Sequence, residues 1–226
     1  MSGSIARGAI RESRFWQAYQ QWRYTTLFYA LLLTLILMPI ATTVGLPAHL
    51  IRLLLTACLF AAALPHATKR TRAALLSAVA ILALVRIAFD VEGSSLGSGL
   101  VLALVGIAGL AAAAASLRFA VTEQAVRSET VYAALSTYLL AGIFFGEIYW
   151  SIERIRHGSF VGPDGFSEPI SIYYSFVTLA TLGYGDVLPR TDIARGVAVF
   201  EVIGGQLFLA VMVARLIGAF EIRRDA

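Results

Sequence analysis

The stretch with most to offer chemically is Pro169–Pro189, PISIYYSFVTLATLGYGDVLP. It places the Thr181 hydroxyl, Leu182, the glycines Gly183 and Gly185, Tyr184 between them and the Asp186 carboxylate in one short run. Ile170–Ala180 is apolar and aromatic but too short to span a bilayer, a length that suits a re-entrant helix. Pro169 fits the first turn of such a helix, and Gly183-Tyr184-Gly185 is where it must stop. Non-helical backbone at membrane depth is tolerated only where it is buried in protein or lines a water-filled cavity. The segment therefore points to a pore. Covalent chemistry has no comparable support. Cys58 stands alone in an apolar run, and His49, His66 and His157 are scattered without metal-ligand spacing. Neither a nucleophile–base set nor a nucleotide-binding motif is visible, so the chain reads as a non-enzyme without a cofactor.

The rest of the chain must hold this segment in a membrane. Of its 226 residues, 58% are hydrophobic and 14% charged, with a mean hydropathy of +0.77. A soluble domain carries about 25% charge. Spans of roughly 20 apolar residues are predicted at Thr25–Thr43, Leu50–Leu64, Ala73–Phe89, Leu100–Ala120, Val131–Trp150 and Ile193–Phe220. Lys and Arg cluster before the first span (Arg7, Arg11, Arg14, Arg23), after the second (Lys69, Arg70, Arg72), after the fourth (Arg118, Arg127) and at the end (Arg215, Arg223, Arg224). The excess of positive charge on cytoplasmic loops then places both termini in the cytoplasm, as does an even number of spans. Gly142 and Gly146 form a G-x-x-x-G pair that suits close helix packing. Arg118–Thr130 has the mixed charge of a short interfacial helix.

The motif TLGYGD at Thr181–Asp186, set between an outer and an inner helix, resembles the signature of the potassium-channel pore domain. The resemblance is strong over Val131–Phe220; over Met1–Thr130 it rests only on span count and topology, which are those of the six-span, voltage-gated-like channels. It implies an all-α membrane protein of six transmembrane helices plus a re-entrant pore helix and selectivity-filter loop, assembling as a homotetramer, since each chain carries one loop. It also implies K⁺ as the permeant ion, held by rings of backbone carbonyls from Thr181, Leu182, Gly183 and Tyr184 with the Thr181 hydroxyl below, and Gly185 completing the filter. Leu182 stands where many members have valine or isoleucine. Val177 stands where some carry a glutamate, so a carboxylate pair with Asp186 is not expected. Filter support falls to Asp186, to Tyr173 and Tyr174 in place of an aromatic pair that is often tryptophan, and to Glu201 as a buried group behind the filter. Gly205 occupies the place of the inner-helix hinge, with Leu209, Val213 and Ile217 as the gate below it.

The expected organisation is a cytoplasmic segment at 1–24, a voltage-sensor-like domain at 25–120, a linker at 121–130, the pore domain at 131–220 and a short cytoplasmic tail at 221–226. Leu100–Leu117 has no basic residue. Voltage gating draws its energy from several charges moved through the field, so little or no conventional voltage gating is expected. The resulting reading is a passive K⁺-selective channel in a cell membrane, of a bacterial inner-membrane kind, with lipids as partners, no nucleic acid, and room for an unidentified regulatory subunit. A nonselective cation channel, a silent or regulatory subunit and a K⁺ transporter are the competing readings.

Overall fold

The computed structural model describes residues 22–40, 44, 95–123, 127–163 and 165–224. In chain order these form α1 (Trp22–Ile40), α2 (Ser95–Thr122), α3 (Ser128–Ile155), β1 (Phe160–Val161), α4 (Glu168–Leu179), β2 (Leu188–Pro189) and α5 (Asp192–Arg224).

Four of the described helices, α1, α2, α3 and α5, are long and apolar enough to cross a membrane; the chain is a multi-pass membrane protein. This corrects the expected fold of six transmembrane helices with a re-entrant pore helix. Among the described residues the architecture is four long apolar helices with α4 as a short helix between the last two, so the likeness to a six-span, voltage-gated-like channel does not stand. The expected spans Leu50–Leu64 and Ala73–Phe89 lie outside the described residues. Both fall short of the roughly 20 apolar residues a crossing takes, and each contains an arginine, Arg52 or Arg86.

Local boundaries shift for identifiable reasons. The stretch read as an interfacial helix divides between its neighbours: α2 runs on to Thr122 and α3 starts at Ser128. There the Thr130 hydroxyl accepts the Arg127 N–H at 3.4 Å, and Glu129 lies in the first turn, where a negative charge suits the helix dipole. The predicted tail is largely helical, since α5 continues to Arg224.

Helices α2 and α3 run antiparallel in close contact. A Cβ on Gly109 would come within 2.0 Å of the Phe144 ring, and one on Gly99 within 2.6 Å of Ile155. The Arg154 guanidinium spans the far end, donating to Ser98 Oγ from Nε at 3.1 Å and Nη2 at 2.7 Å. α1 lies across this pair, burying Tyr24, Leu27 and Leu31 with Ala113, Ala120, Leu140 and Ile143. Its start is tied to α3 by Glu129, which accepts the Tyr24 N–H at 3.0 Å and the Thr25 hydroxyl at 2.5 Å. A second core gathers Phe145, Tyr149, Phe160, Tyr174, Val187 and Ala194. It sits beneath the antiparallel pair β1–β2, in which Phe160 faces Pro189 and Val161 faces Leu188. This second core carries the candidate site.

Candidate functional site around Thr181–Asp186

Pro169 occupies the first turn of α4, where its missing N–H costs nothing. The helix lies on α3 through the two glycines of the G-x-x-x-G pair. A Cβ on Gly142 would meet the Phe176 ring at 2.4 Å, and one on Gly146 the Ile172 Cα at 2.7 Å. Close packing is thus the use of both glycines.

At its far end α4 turns directly into the motif. The last carbonyls of a helix have no partner within it, and here the following loop supplies the donors. Thr181 N–H donates to Thr178 O at 2.9 Å. The Val177 carbonyl accepts Leu182 N–H at 2.9 Å and Gly183 N–H at 3.4 Å. Beyond this point φ is positive at every second residue: +58° at Thr181, +56° at Gly183 and +78° at Gly185. For the glycines this costs little, having no Cβ. For Thr181 it is a strained conformation, since β-branched residues rarely take it, and strain of this kind costs about 1–3 kcal/mol. Thr181 is the described non-glycine residue with positive φ. The loop is bare within the single chain, with Leu182 56% and Tyr184 66% exposed. It borders a cavity of about 480 Å³ that also touches Thr178, Val199 and Ile203.

The outer end of the loop is tied down at Asp186. Tyr173, on α4, donates its hydroxyl to Asp186 Oδ2 at 2.8 Å, and Val187 N–H donates to Oδ1 at 3.1 Å. The carboxylate partner pushes the Tyr173 phenol above the ordinary tyrosine value, because a phenolate there would face a second negative group. Tyr174 is buried in the second core, edge-on to Tyr149 at 4.9 Å and to Phe160 at 5.5 Å between ring centres. The adjacent tyrosines therefore divide: one reaches the loop mouth, the other anchors α4.

Glu201 on α5 is fully buried and accepts hydroxyl hydrogens from Tyr149 and Ser175, both at 2.5 Å. Neither partner was singled out from the sequence. Each is an unremarked polar residue on an apolar helix, and only the meeting of three helices brings them together. Glu147 on α3 is likewise buried, at 1% exposure. Gly205 is buried on α5: a Cβ there would stand 2.7 Å from the Leu179 carbonyl oxygen. Leu209, Val213 and Ile217 lie below it at four-residue spacing, 41%, 54% and 55% exposed. The structure thus groups Thr181–Asp186, Tyr173, Tyr174 and Glu201 around α4, and leaves Leu209, Val213 and Ile217 as an apolar stripe farther along α5. Among the described residues, no three His, Cys, Asp or Glu side chains come together as a metal-holding group.

Residues 133–221, less than half of the chain, match the profile of a family described as ion channels. That class moves ions and performs no covalent chemistry. A protein of Rhodopseudomonas palustris, provisionally named a potassium channel protein, is 41% identical over 61 residues, which is 26% of this chain and 15% of the relative. No solved structure matches the chain.

Proposed function

We propose that the chain is a passive, K⁺-selective channel whose filter is the backbone of Thr181, Leu182, Gly183, Tyr184 and Gly185. The observation that carries this reading is the alternation of φ along the loop, positive at Thr181, Gly183 and Gly185. In an ordinary strand successive carbonyls point to opposite sides. Reversing the sign of φ at every second residue is how an extended chain turns them toward one side. A line of carbonyl oxygens facing one way can replace the hydration shell of a cation, with the Thr181 hydroxyl adding a ligand at the lower end. The ion-channel match over 133–221 and the similarity to a relative provisionally named a potassium channel protein support the same reading.

One chain supplies one such loop. A closed ring of carbonyls takes several copies, and we propose a homotetramer in a lipid bilayer, with residues 131–220 as its pore-forming part and no nucleic-acid partner. The bareness of the loop and of α5 in a single chain supports such self-association. Asp186, at the loop's outer end, raises the local cation concentration there, and its bond to Tyr173 holds the mouth in place. Gly205 is a close-contact point as much as a hinge, and Leu209, Val213 and Ile217 form an apolar constriction able to close by dewetting. α2 carries no basic residue before Arg118, which leaves little charge for a voltage to act on. Both termini are cytoplasmic on the distribution of Lys and Arg, in a membrane of bacterial inner-membrane type.

The test is reconstitution into liposomes followed by the reversal potential under opposing K⁺ and Na⁺ gradients. A reversal near the K⁺ equilibrium value, abolished when Gly183 and Gly185 are both changed to alanine, is the expected result. A reversal midway between the two ions identifies a nonselective cation channel. A chain that conducts only when mixed with another channel subunit is a regulatory partner.

A further inference from the structure

A carboxyl group in an apolar helix is costly unless polar partners surround it. Glu201 is 0% exposed, and each of its oxygens has one donor, Tyr149 Oη on Oε2 and Ser175 Oγ on Oε1, at 2.5 Å. One carboxyl thus joins α5 to α3 and to α4. A turn farther along α5, Gly205 admits the Leu179 carbonyl at a distance no side chain would permit. Positions 201 and 205 face positions 175 and 179 in step, so α4 lies along one face of α5. Midway between the two contacts on α4 is Val177, whose carbonyl holds the N–H groups of Leu182 and Gly183.

We infer that Glu201 is a positioning residue for the filter: its carboxyl sets the height of α4 between α3 and α5, and α4, through Val177, sets where the Leu182 and Gly183 backbone lies. This rests on the channel reading. Glu201 itself touches no ion. It acts through Ser175 and the two residues that lead from it along α4 to Val177, a path short enough for a small displacement to reach the carbonyls. A displacement of that kind weakens discrimination between K⁺ and Na⁺ before it weakens the fold, because size selection depends on finer tolerances than helix association does.

The experiment compares wild-type protein with Glu201→Gln, Ser175→Ala and Tyr149→Phe, each reconstituted at full length, with Leu33→Ala on the exposed side of α1 as control. Glu201→Gln keeps the side chain's shape but offers an amide where two hydroxyls donate. It is expected to elute and show helicity like wild type while lowering the K⁺ over Na⁺ permeability ratio by roughly fivefold, the scale of one lost hydrogen bond. Ser175→Ala is expected to shift the ratio in the same direction and to add nothing further on top of Glu201→Gln, as coupled residues behave. Leu33→Ala leaves the ratio unchanged. A folded Glu201→Gln with the wild-type ratio overturns the inference, as does a Ser175→Ala effect that simply adds. Should Glu201→Gln fail to fold, Ser175→Ala and Tyr149→Phe carry the test, and an unchanged ratio in both overturns it. Wild-type protein with no preference for K⁺ removes the channel reading and this inference together, an outcome told apart because it appears before any substitution is made.

Discussion

Helices α3 and α5 flank the same short helix, yet the chain treats them oppositely. In α3, 56% of the most apolar stretch is buried within the chain; in α5, the more apolar of the two, only 17% is. Hydrophobicity therefore does not decide which helix is inside. What decides is shape. α3 presents Gly142 and Gly146 to α4, and on another face Phe144, Ile148 and Ile155 to the glycines of α2, so backbones approach and side chains interlock. α5 meets its own chain through a narrow strip, Glu201 and Gly205 against α4 with Arg215 donating to the carbonyls of Val121 and Glu123 at the end of α2. Ala194 and Met212 are also buried, but Val199, Ile203 and Leu207 are more than half exposed within the single chain. In a membrane, apolar surface can remain against lipid at no cost, so packing rather than water avoidance assigns the neighbours.

The sharpest way to break this contrast is a pair of truncations. Leu140→Ala on α3 removes a side chain that is 0% exposed, and is expected to destabilise the protein by about 2–5 kcal/mol through the cavity it leaves. Leu207→Ala on α5, at 61% exposure in the single chain, should stay within about 0.5 kcal/mol when the protein is held in detergent as single chains. Thermal unfolding in detergent measures both. An equal loss for Leu207→Ala would mean that another copy of the chain covers α5 in the assembled protein.

A smaller effect separates two adjacent glycines. Gly205→Ala drives a methyl to 2.7 Å from the Leu179 carbonyl and is expected to cost about 1–3 kcal/mol by overpacking. Gly204→Ala meets nothing within 4 Å and should stabilise α5 by up to about 1 kcal/mol through helix propensity. Matching melting temperatures for the two variants would show that α4 and α5 do not keep this contact in the membrane.

The smallest change belongs to the loop mouth. Tyr173→Phe removes an exposed hydrogen bond to Asp186 that water can replace, and the melting temperature is expected to stay where it was. A fall of several degrees would place Tyr173 with the buried core, beside Tyr174, rather than with the mouth.

Much of this was legible in the sequence for a simple reason. A membrane helix declares itself by length and apolar content, and the expected spans Thr25–Thr43, Leu100–Ala120, Val131–Trp150 and Ile193–Phe220 overlap helices α1, α2, α3 and α5. Gly183 and Gly185 mark backbone positions where other residues are disfavoured. Their types alone determine that the helix before them ends and that the loop can adopt positive φ. The expected spans Leu50–Leu64 and Ala73–Phe89 lie outside the described residues. The partners of Glu201 were not legible, because Tyr149 and Ser175 lie 52 and 26 residues away in the chain. No local pattern links them. Nor did sequence distinguish Gly205 as a hinge from Gly205 as the point of contact with Leu179. The sequence by itself determined a membrane chain with one helix-terminating, glycine-bearing loop, since these follow from local sterics and solvation. Only the tertiary structure decided which side chains stand behind that loop, because that depends on how three helices cross.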